Sequence, residues 1–379
     1  MSIVPGATIG ILGGGQLGRM TAIAARELGY RVMVMDPDRE CAASGVVDRV
    51  IVGGFDDASA AAALASGSAV VTYEIEKIAP AALAAVQEHA PLRPGPHLLE
   101  VVQDRAVQKR WLGDHGFPVG DWRDADSPAA LADAARALGS CRAKSRRGGY
   151  DGRGQFRLTG AASDAEIEQA WDAVGAAACV VERELELEAE LSVMVARRPS
   201  GESAVYPPAR NWHNDGILDL SVLPGDLPAS AVAEAKRHTR AMADAFALEG
   251  LLAVEWFLTR DGRVLVNELA PRPHNTFHAT DTACATSQFE QLVRAVCDLP
   301  LGSTEVTKPT ALLNLLGDLW VDGTGPAFEK ALAIPGVRLY LYGKSPRPAR
   351  KVGHMLATAD TPAAALERAR AVREILQGG

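Results

Sequence analysis

Residues 144–155 read KSRRGGYDGRGQ, with four glycines, four cations, one acid and no aliphatic side chain. A segment so poor in apolar groups has little to bury. It lies between an apolar-leaning run and the alternating QFRLT, so it is expected to form the loop of a β-hairpin. Its glycines let the backbone approach a ligand and turn N–H groups toward anionic oxygens, while Lys144 and the arginines add charge. A solvated basic hairpin would read the same way. Far downstream, Glu255 in VEWF and Asn267-Glu268 in VNELAPR end two alternating apolar runs joined by a turn over 260–263. A cationic glycine loop facing carboxylates on adjacent strands is what a nucleoside triphosphate and its magnesium require.

A chain of 379 residues is too long for one simple core, so two or three domains are expected. The Pro/Gly-rich stretch 91–96 marks a linker, and the units are expected at 1–100, 101–300 and 301–379. A formal charge of -8 argues against a general nucleic-acid binder, which needs a basic face. The start, MSIVPGATIGILGGG, has no basic lead and an apolar run too short for a signal or membrane helix. Five scattered cysteines without CxxC spacing read as reduced core residues of a cytoplasmic protein, not a disulfide frame or metal site.

The first hundred residues alternate strand and helix. A strand over 7–12 runs into Gly13, Gly14, Gly15 and Gly18, a helix follows from about Arg19, and a second strand ends at Asp36. Taken literally, this spacing binds a dinucleotide with Asp36 on a ribose hydroxyl; many doubly wound domains use the same glycines only to turn tightly. TYEIE then places Tyr73, Glu74 and Glu76 at the carboxyl end of a strand, where open α/β sheets bind ligands.

In the middle, 103–115 is expected as one cationic amphipathic helix, with Arg105 either solvated or on a phosphate. Two strands flank an acid-rich turn, Glu182-Arg183-Glu184-Leu185, which is either a hinge for a purine with Glu182 or Glu190 on its ribose, or a solvated turn. His213 stands beside the turn Asp215-Gly216. A helix over 228–248 precedes the Glu255 and Glu268 strands, and Arg272, His274, Asn275, Thr276 and His278 crowd the loop beyond them. The last region shows three strands, a final helix over 361–376, and a cationic run, Lys344, Arg347, Arg350, Lys351 and His354, suited to a phosphate or to solvent.

With GGGQLGRM, TYEIE, RRGGYDGRGQ, NWHNDGIL, NELAPRPHN and RKVGH in this order over nearly its full length, the chain resembles the ATP-grasp ligases. Among them it is most similar to the 5-(carboxyamino)imidazole ribonucleotide synthetases. GGYDGRGQ with NELAPRPHN is the specific part; GGGQLG is not. The resemblance implies an α/β fold: an N-terminal open α/β, biotin-carboxylase-like pre-ATP-grasp domain, a central ATP-grasp region and a small C-terminal mixed α/β domain, paired as a homodimer. It also implies ATP, magnesium (manganese as substitute), bicarbonate and aminoimidazole ribonucleotide.

Residue by residue, Arg105, Lys144, Gly149, Tyr150, Asp151, Gly152, Arg153, Gly154, Gln155, Glu182, Arg183, Glu184, Leu185, Glu190, His213, Asn267 and Glu268 match nucleotide positions. Glu255 and Glu268 match metal ligands. Gln16, Leu17, Tyr73, Glu74, Glu76, Tyr150, Asp151, Arg153, His274, Asn275, Lys344, Arg350 and Lys351 match substrate contacts, with Asp151, Arg153, Arg272 and Lys344 as the catalytic set. Ile75, where the family carries an aromatic, and Arg210, where an acid is usual, depart from the pattern without removing a phosphate or metal ligand. Three rival readings are an NAD-dependent oxidoreductase, which leaves the 144–155 loop and the Glu255/Glu268 pair unexplained, another ATP-grasp ligase such as a formate-using transformylase, and a non-catalytic regulatory homologue, against which intact Glu255, Glu268 and Lys144 argue.

Overall fold

A computed structural model describes residues 2–148, 154–320 and 324–378. The first unit contains β1 (Thr8–Leu12), α1 (Gln16–Glu27), β2 (Arg31–Asp36), β3 (Arg49–Val52), α2 (Ala58–Ser66), β4 (Val70–Tyr73) and α3 (Pro80–Gln87). Its strands form a parallel sheet in the order β3-β2-β1-β4. Val32, Val34, Val70 and Val71 are fully buried, as expected for a parallel sheet covered on both faces.

Two short helices lead out of this unit, α4 (Pro96–Val102) and α5 (Arg105–Asp114). The helix expected over 103–115 is α5, which starts at Arg105. Asp104 is extended and its carboxylate accepts the Ala106 and Val107 amides, so it caps α5. A small antiparallel sheet follows, built from β5 (Trp122–Ala125), β6 (Cys141–Ser145), β7 (Gln155–Leu158) and β8 (Cys179–Arg183) in the order β5-β8-β6-β7. Helices α6 (Pro128–Leu138) and α7 (Asp164–Ala173) pack on it. The β6–β7 pairing makes 146–154 a hairpin connection, as its composition requires.

The large sheet contains β9 (Leu187–Arg197), β10 (Ser203–Val205), β11 (Ala209–Asn214), β12 (Ile217–Leu223), β13 (Gly250–Thr259) and β14 (Val264–Ala270), with α8 (Ala229–Ala245) between β12 and β13. Short α9 (Thr280–Ala283) and α10 (Gln288–Val296) lead to β15 (Thr310–Leu316), α11 (Phe328–Leu332), β16 (Val337–Leu341), β17 (Lys351–Thr358) and α12 (Pro362–Leu376). The C-terminal strands extend the same sheet, in the order β14-β13-β9-β11-β12-β15-β17-β16 with β10 beside β9. The two strands around the acid-rich turn thus belong to different sheets, which makes that turn a connection between lobes.

Candidate active site

Glu255 and Glu268 are register partners in the β13–β14 ladder. A bulge follows at once, because Trp256 pairs with Val266 and leaves Asn267 as an extra residue. The bulge brings Asn267 to the side of its neighbour Glu268, and its amide donates to Glu255 Oε2 at 3.1 Å. On the other side of Glu255, His274 Nε2 lies 3.4 Å from Oε1. Burial and the facing Glu268 push the Glu255 carboxyl up to about 7. Burial also penalises charge on Glu268, but Arg105, with Nη1 3.0 Å from Oε2, prevails and holds that carboxyl below its ordinary value. Beneath lies a buried polar floor: Asn211 donates to Ser192 at 2.7 Å and accepts from Ser221 at 2.9 Å.

Glu190, on β9, lies 2.6 Å from His213 Nδ1 on β11. Burial disfavours the charged imidazole, yet Glu190 and Glu255 outweigh it and raise the His213 pKa above its ordinary value. The histidine expected at the turn is thus a strand residue; Asp215 and Gly216, both at positive φ, make the turn.

Glu182, at the end of β8, is held by two lysines. Lys144 Nζ stands 2.8 Å from Oε2 and Lys109 Nζ 3.0 Å from Oε1. Burial opposes its charge, but the two ammonium groups hold the carboxyl far below the ordinary range. This side chain therefore points to lysines and not to a ribose. The side chains of its neighbours are engaged on other partners: Arg183 with Asp121 and the Leu138 carbonyl, Glu184 with Ser140, Arg142 and Arg157. What the hinge offers a ligand is its backbone and Leu185.

A second cluster adjoins the first. Arg272 Nη2 is 3.0 Å from Glu76 Oε1, and Gln103 donates to the Glu76 carbonyl at 2.7 Å. Lys344 donates to Gln16 Oε1 and sits over the Tyr342 ring at 5.9 Å. Burial lowers the Lys344 pKa while Glu74 opposes the shift. Arg350 and Lys351 add positive charge beside it.

The glycine loop is filled from within. Gly15 and Gly18 amides donate to Glu74 Oε1 and Oε2 at 2.7 and 3.0 Å. Asp36, read as a ribose ligand, instead accepts the Gly14 and Asp38 amides at 2.8 and 2.9 Å. Both groups a dinucleotide would need are spent on the loop, which corrects the literal reading of the glycine spacing. Leu17 packs with Met20, Phe289 and Tyr342, and Tyr73 is buried with its hydroxyl unpartnered among the described residues. Asn275 keeps both amide atoms shielded from solvent with no partner among the described residues, an opening for a ligand. Gly154 lies in the hairpin connection at positive φ, and Gln155 pairs with Lys144. Gly149, Tyr150, Asp151, Gly152 and Arg153 lie outside the described residues.

Residues 6–103 match the ribonucleotide synthetase pre-ATP-grasp domain, 110–289 the ATP-grasp domain and 310–368 the phosphoribosylaminoimidazole carboxylase C-terminal domain. An N5-carboxyaminoimidazole ribonucleotide synthase of Brucella melitensis is 41% identical over 359 residues, covering 93% of this chain and 97% of that protein. The chain belongs to the N5-carboxyaminoimidazole ribonucleotide synthase family. A solved synthetase of this family bound to ADP superimposes with a TM-score of 0.92 at 41% identity, over 98% of this chain and 97% of the other. An Aspergillus clavatus synthase, in complex with ADP and 5-aminoimidazole ribonucleotide, gives 0.89 at 31% identity over 98% of each chain.

Two residues of the site in this synthase-family chain escaped the sequence reading. Lys109 and Asp104 lie in the string DRAVQK, and only the capped start of α5 shows that Asp104 faces inward and that Arg105 and Lys109 share a helical face. Glu74 was noticed, but its role in occupying the glycine loop needed the third dimension.

The donor set fits magnesium, a hard cation that takes one or two carboxylates and fills its shell with water and substrate phosphate. Among the described residues no group of three or more His, Cys, Asp or Glu able to hold a metal occurs, and Glu255 and Glu268 would supply the two carboxylates.

Proposed function

We propose that this protein carboxylates the exocyclic amine of 5-aminoimidazole ribonucleotide, using ATP and bicarbonate and releasing ADP and phosphate, in purine biosynthesis. The observation that carries the reading is the contiguity of two clusters: the carboxylate pair with Arg105 on Glu268 and the Lys144 charge nearby, and the Lys344–Gln16 and Arg272–Glu76 contacts, with Glu76 in electrostatic reach of Arg105 and Glu74 in reach of both Lys344 and Arg272. The first suits a nucleotide; the second suits a phosphorylated substrate whose amine must reach the activated carbon. The family relation supports the same assignment.

Bicarbonate is a poor electrophile. A bicarbonate oxygen attacks the γ-phosphorus and ADP leaves; the resulting carboxyphosphate breaks into carbon dioxide and phosphate. The amine nitrogen then bonds to the carbon and gives up a proton. Lys144 and Arg105 balance charge on the phosphoryl oxygens as they transfer. Magnesium, held by Glu255 and Glu268 when bound, supplies further neutralisation there. Lys344 and Arg350 hold the substrate phosphate, and Asp151 receives the amine's hydrogen bond and orients it. Closure over the site protects the short-lived intermediate from water. The homodimer follows from the family resemblance, and sedimentation tests it; the cytoplasmic setting follows from the five unpaired cysteines. No helix among the described residues is long and apolar enough to cross a membrane.

A coupled ADP-release assay with ATP, magnesium and bicarbonate tests the function. Turnover is expected only when aminoimidazole ribonucleotide is added. Equal ADP release without it, or with glycinamide ribonucleotide in its place, overturns the assignment.

A further inference from the structure

Lys109 is 5% exposed and sits on α5 one turn beyond Arg105. The two side chains leave the same helical face and reach carboxylates of different lobes, Arg105 to Glu268 of the large sheet and Lys109 to Glu182 of the small one. Glu182 has a lysine on each oxygen, and these lysines are not equivalent. The Lys109 side chain is 6% exposed and that of Lys144 is 17% exposed, so Lys144 is the one nearer solvent.

We propose that Lys109 is a positioning residue for nucleotide binding, neutralising Glu182 from behind so that Lys144 can turn toward a phosphate. The inference deepens the ATP-dependent reading and rests on it. Every phosphate that recruits Lys144 competes with Glu182 for the same ammonium. Were Lys144 the sole counter-charge, its departure would leave a buried carboxylate unpaired, an arrangement far more costly than keeping the pair. With Lys109 on the second oxygen, Glu182 stays compensated while Lys144 moves. Burial and the neighbouring Lys144 and Arg105 charges weaken the hold of Lys109 on its proton, and Glu182 opposes them. Two lysines against one carboxylate nonetheless give the clasp one surplus positive charge, suited to an arriving anion.

The test is calorimetric titration with magnesium–ADP, which needs neither bicarbonate nor the imidazole substrate. Lys109→Met is expected to bind ADP at least about tenfold more weakly, ~1.4 kcal/mol. Its KM for ATP should rise while KM for aminoimidazole ribonucleotide holds. Removing the competing charge should relieve the defect: Lys109→Met/Glu182→Gln is expected to bind ADP as Glu182→Gln alone does. A merely structural lysine would not show that rescue. If Lys109→Met does not fold, Lys109→Gln makes the same charge change and carries the same measurement. Wild-type ADP affinity in a folded Lys109 variant, or a double variant no better than the single, overturns the proposal. Failure of the wild-type protein to bind ADP would instead sink the ATP-dependent reading.

Discussion

Glu255 and Glu268 face one another across the β13–β14 ladder, and Arg105 pairs with the second. The asymmetry makes Glu255 the harder of the two to ionise, with its carboxyl pushed up to about 7 by burial and by Glu268. A divalent cation held by the pair would relieve that repulsion. Glu268→Gln is therefore expected to lower turnover by more than about a hundredfold, since loss of even an outer partner of a metal ligand costs about ten- to a hundredfold. Circular dichroism should remain unchanged. Near-normal activity at ordinary magnesium concentration would remove the carboxylate pair from the metal assignment.

Asp104 ties the stem of the glycine-rich connection to α5. It caps the helix and takes Arg146 Nε and Nη2 at 2.9 and 2.8 Å, while the Arg105 amide donates to the Arg146 carbonyl at 2.9 Å. Asp104→Ala removes a cap worth about 1 kcal/mol and charged hydrogen bonds worth about 1.5–3 kcal/mol. Urea unfolding should register a loss of roughly 2–4 kcal/mol. A change under about 0.5 kcal/mol, the size of an ordinary surface substitution, would show the latch to be incidental.

Much of this was legible in residue order, because strands with period-two alternation and loops dense in glycine advertise themselves locally. The carboxylate strands, the 146–154 connection and the C-terminal strand pattern follow from composition and spacing. The cap at Asp104 was not legible, since residue order does not show which way a carboxylate ahead of a helix turns. Nor was the competition inside the glycine loop. Gly15 and Gly18 look the same whether their amides face a pyrophosphate or Glu74, 59 residues beyond Gly15.

That competition has its own consequence. A Cβ at Gly18 would stand 2.5 Å from the Gly13 carbonyl oxygen, a backbone atom that cannot step aside. Gly18→Ala is expected to cost about 1–3 kcal/mol of stability by overpacking. NADH fluorescence should not change on titration with the wild-type protein, because Glu74 already holds the loop amides. Saturable NADH binding would revive the dinucleotide reading.

Acid should weaken the fold through a buried ring stack. His354 lies between Tyr340 and His278 at 4.6 and 4.5 Å, and His278 stacks in turn on Phe289. Burial and nearby Lys351 push the His278 pKa down to about 3; burial and His278 push His354 well below its usual value. Both folded values lie below the unfolded one, about 6.5, so the unfolded chain binds more protons in acid. Stability is complete above that pH and falls below it, by up to about 1.4 kcal/mol per pH unit for each histidine. Asp281, raised to about 6 by burial, acts in the opposite direction and offsets part of the loss. Between pH 7.5 and 5.5 the urea midpoint should drop, and His278→Gln should flatten the drop. An unchanged slope in that variant would dissociate the stack from the acid response.

The sharpest test separates the substrate cluster from the nucleotide site. Lys344 stands on the C-terminal side of the cleft, bonded to Gln16 of the first domain and away from the Glu182 clasp. Its charge has Glu74 as counterpart and Arg350 and Lys351 as neighbours, a setting that favours an added phosphate. Asp151 is the single acid in a connection rich in cations, where it repels ATP phosphates, so its presence calls for another partner; the substrate's exocyclic amine is one. Lys344→Ala and Asp151→Ala should each lose productive use of aminoimidazole ribonucleotide while keeping wild-type ADP affinity. One charged hydrogen bond is worth about 1.5–3 kcal/mol, about ten- to a hundredfold in kcat/KM, and misorientation of the amine adds to it. The two substitutions should differ in kind. Lys344→Ala should act mainly on KM, since it loosens the phosphate, and Asp151→Ala mainly on kcat, since it misaims the nitrogen. If both variants bind ADP poorly and still need the imidazole substrate to the same degree, the glycine-rich connection serves the nucleotide alone and the substrate must enter from elsewhere.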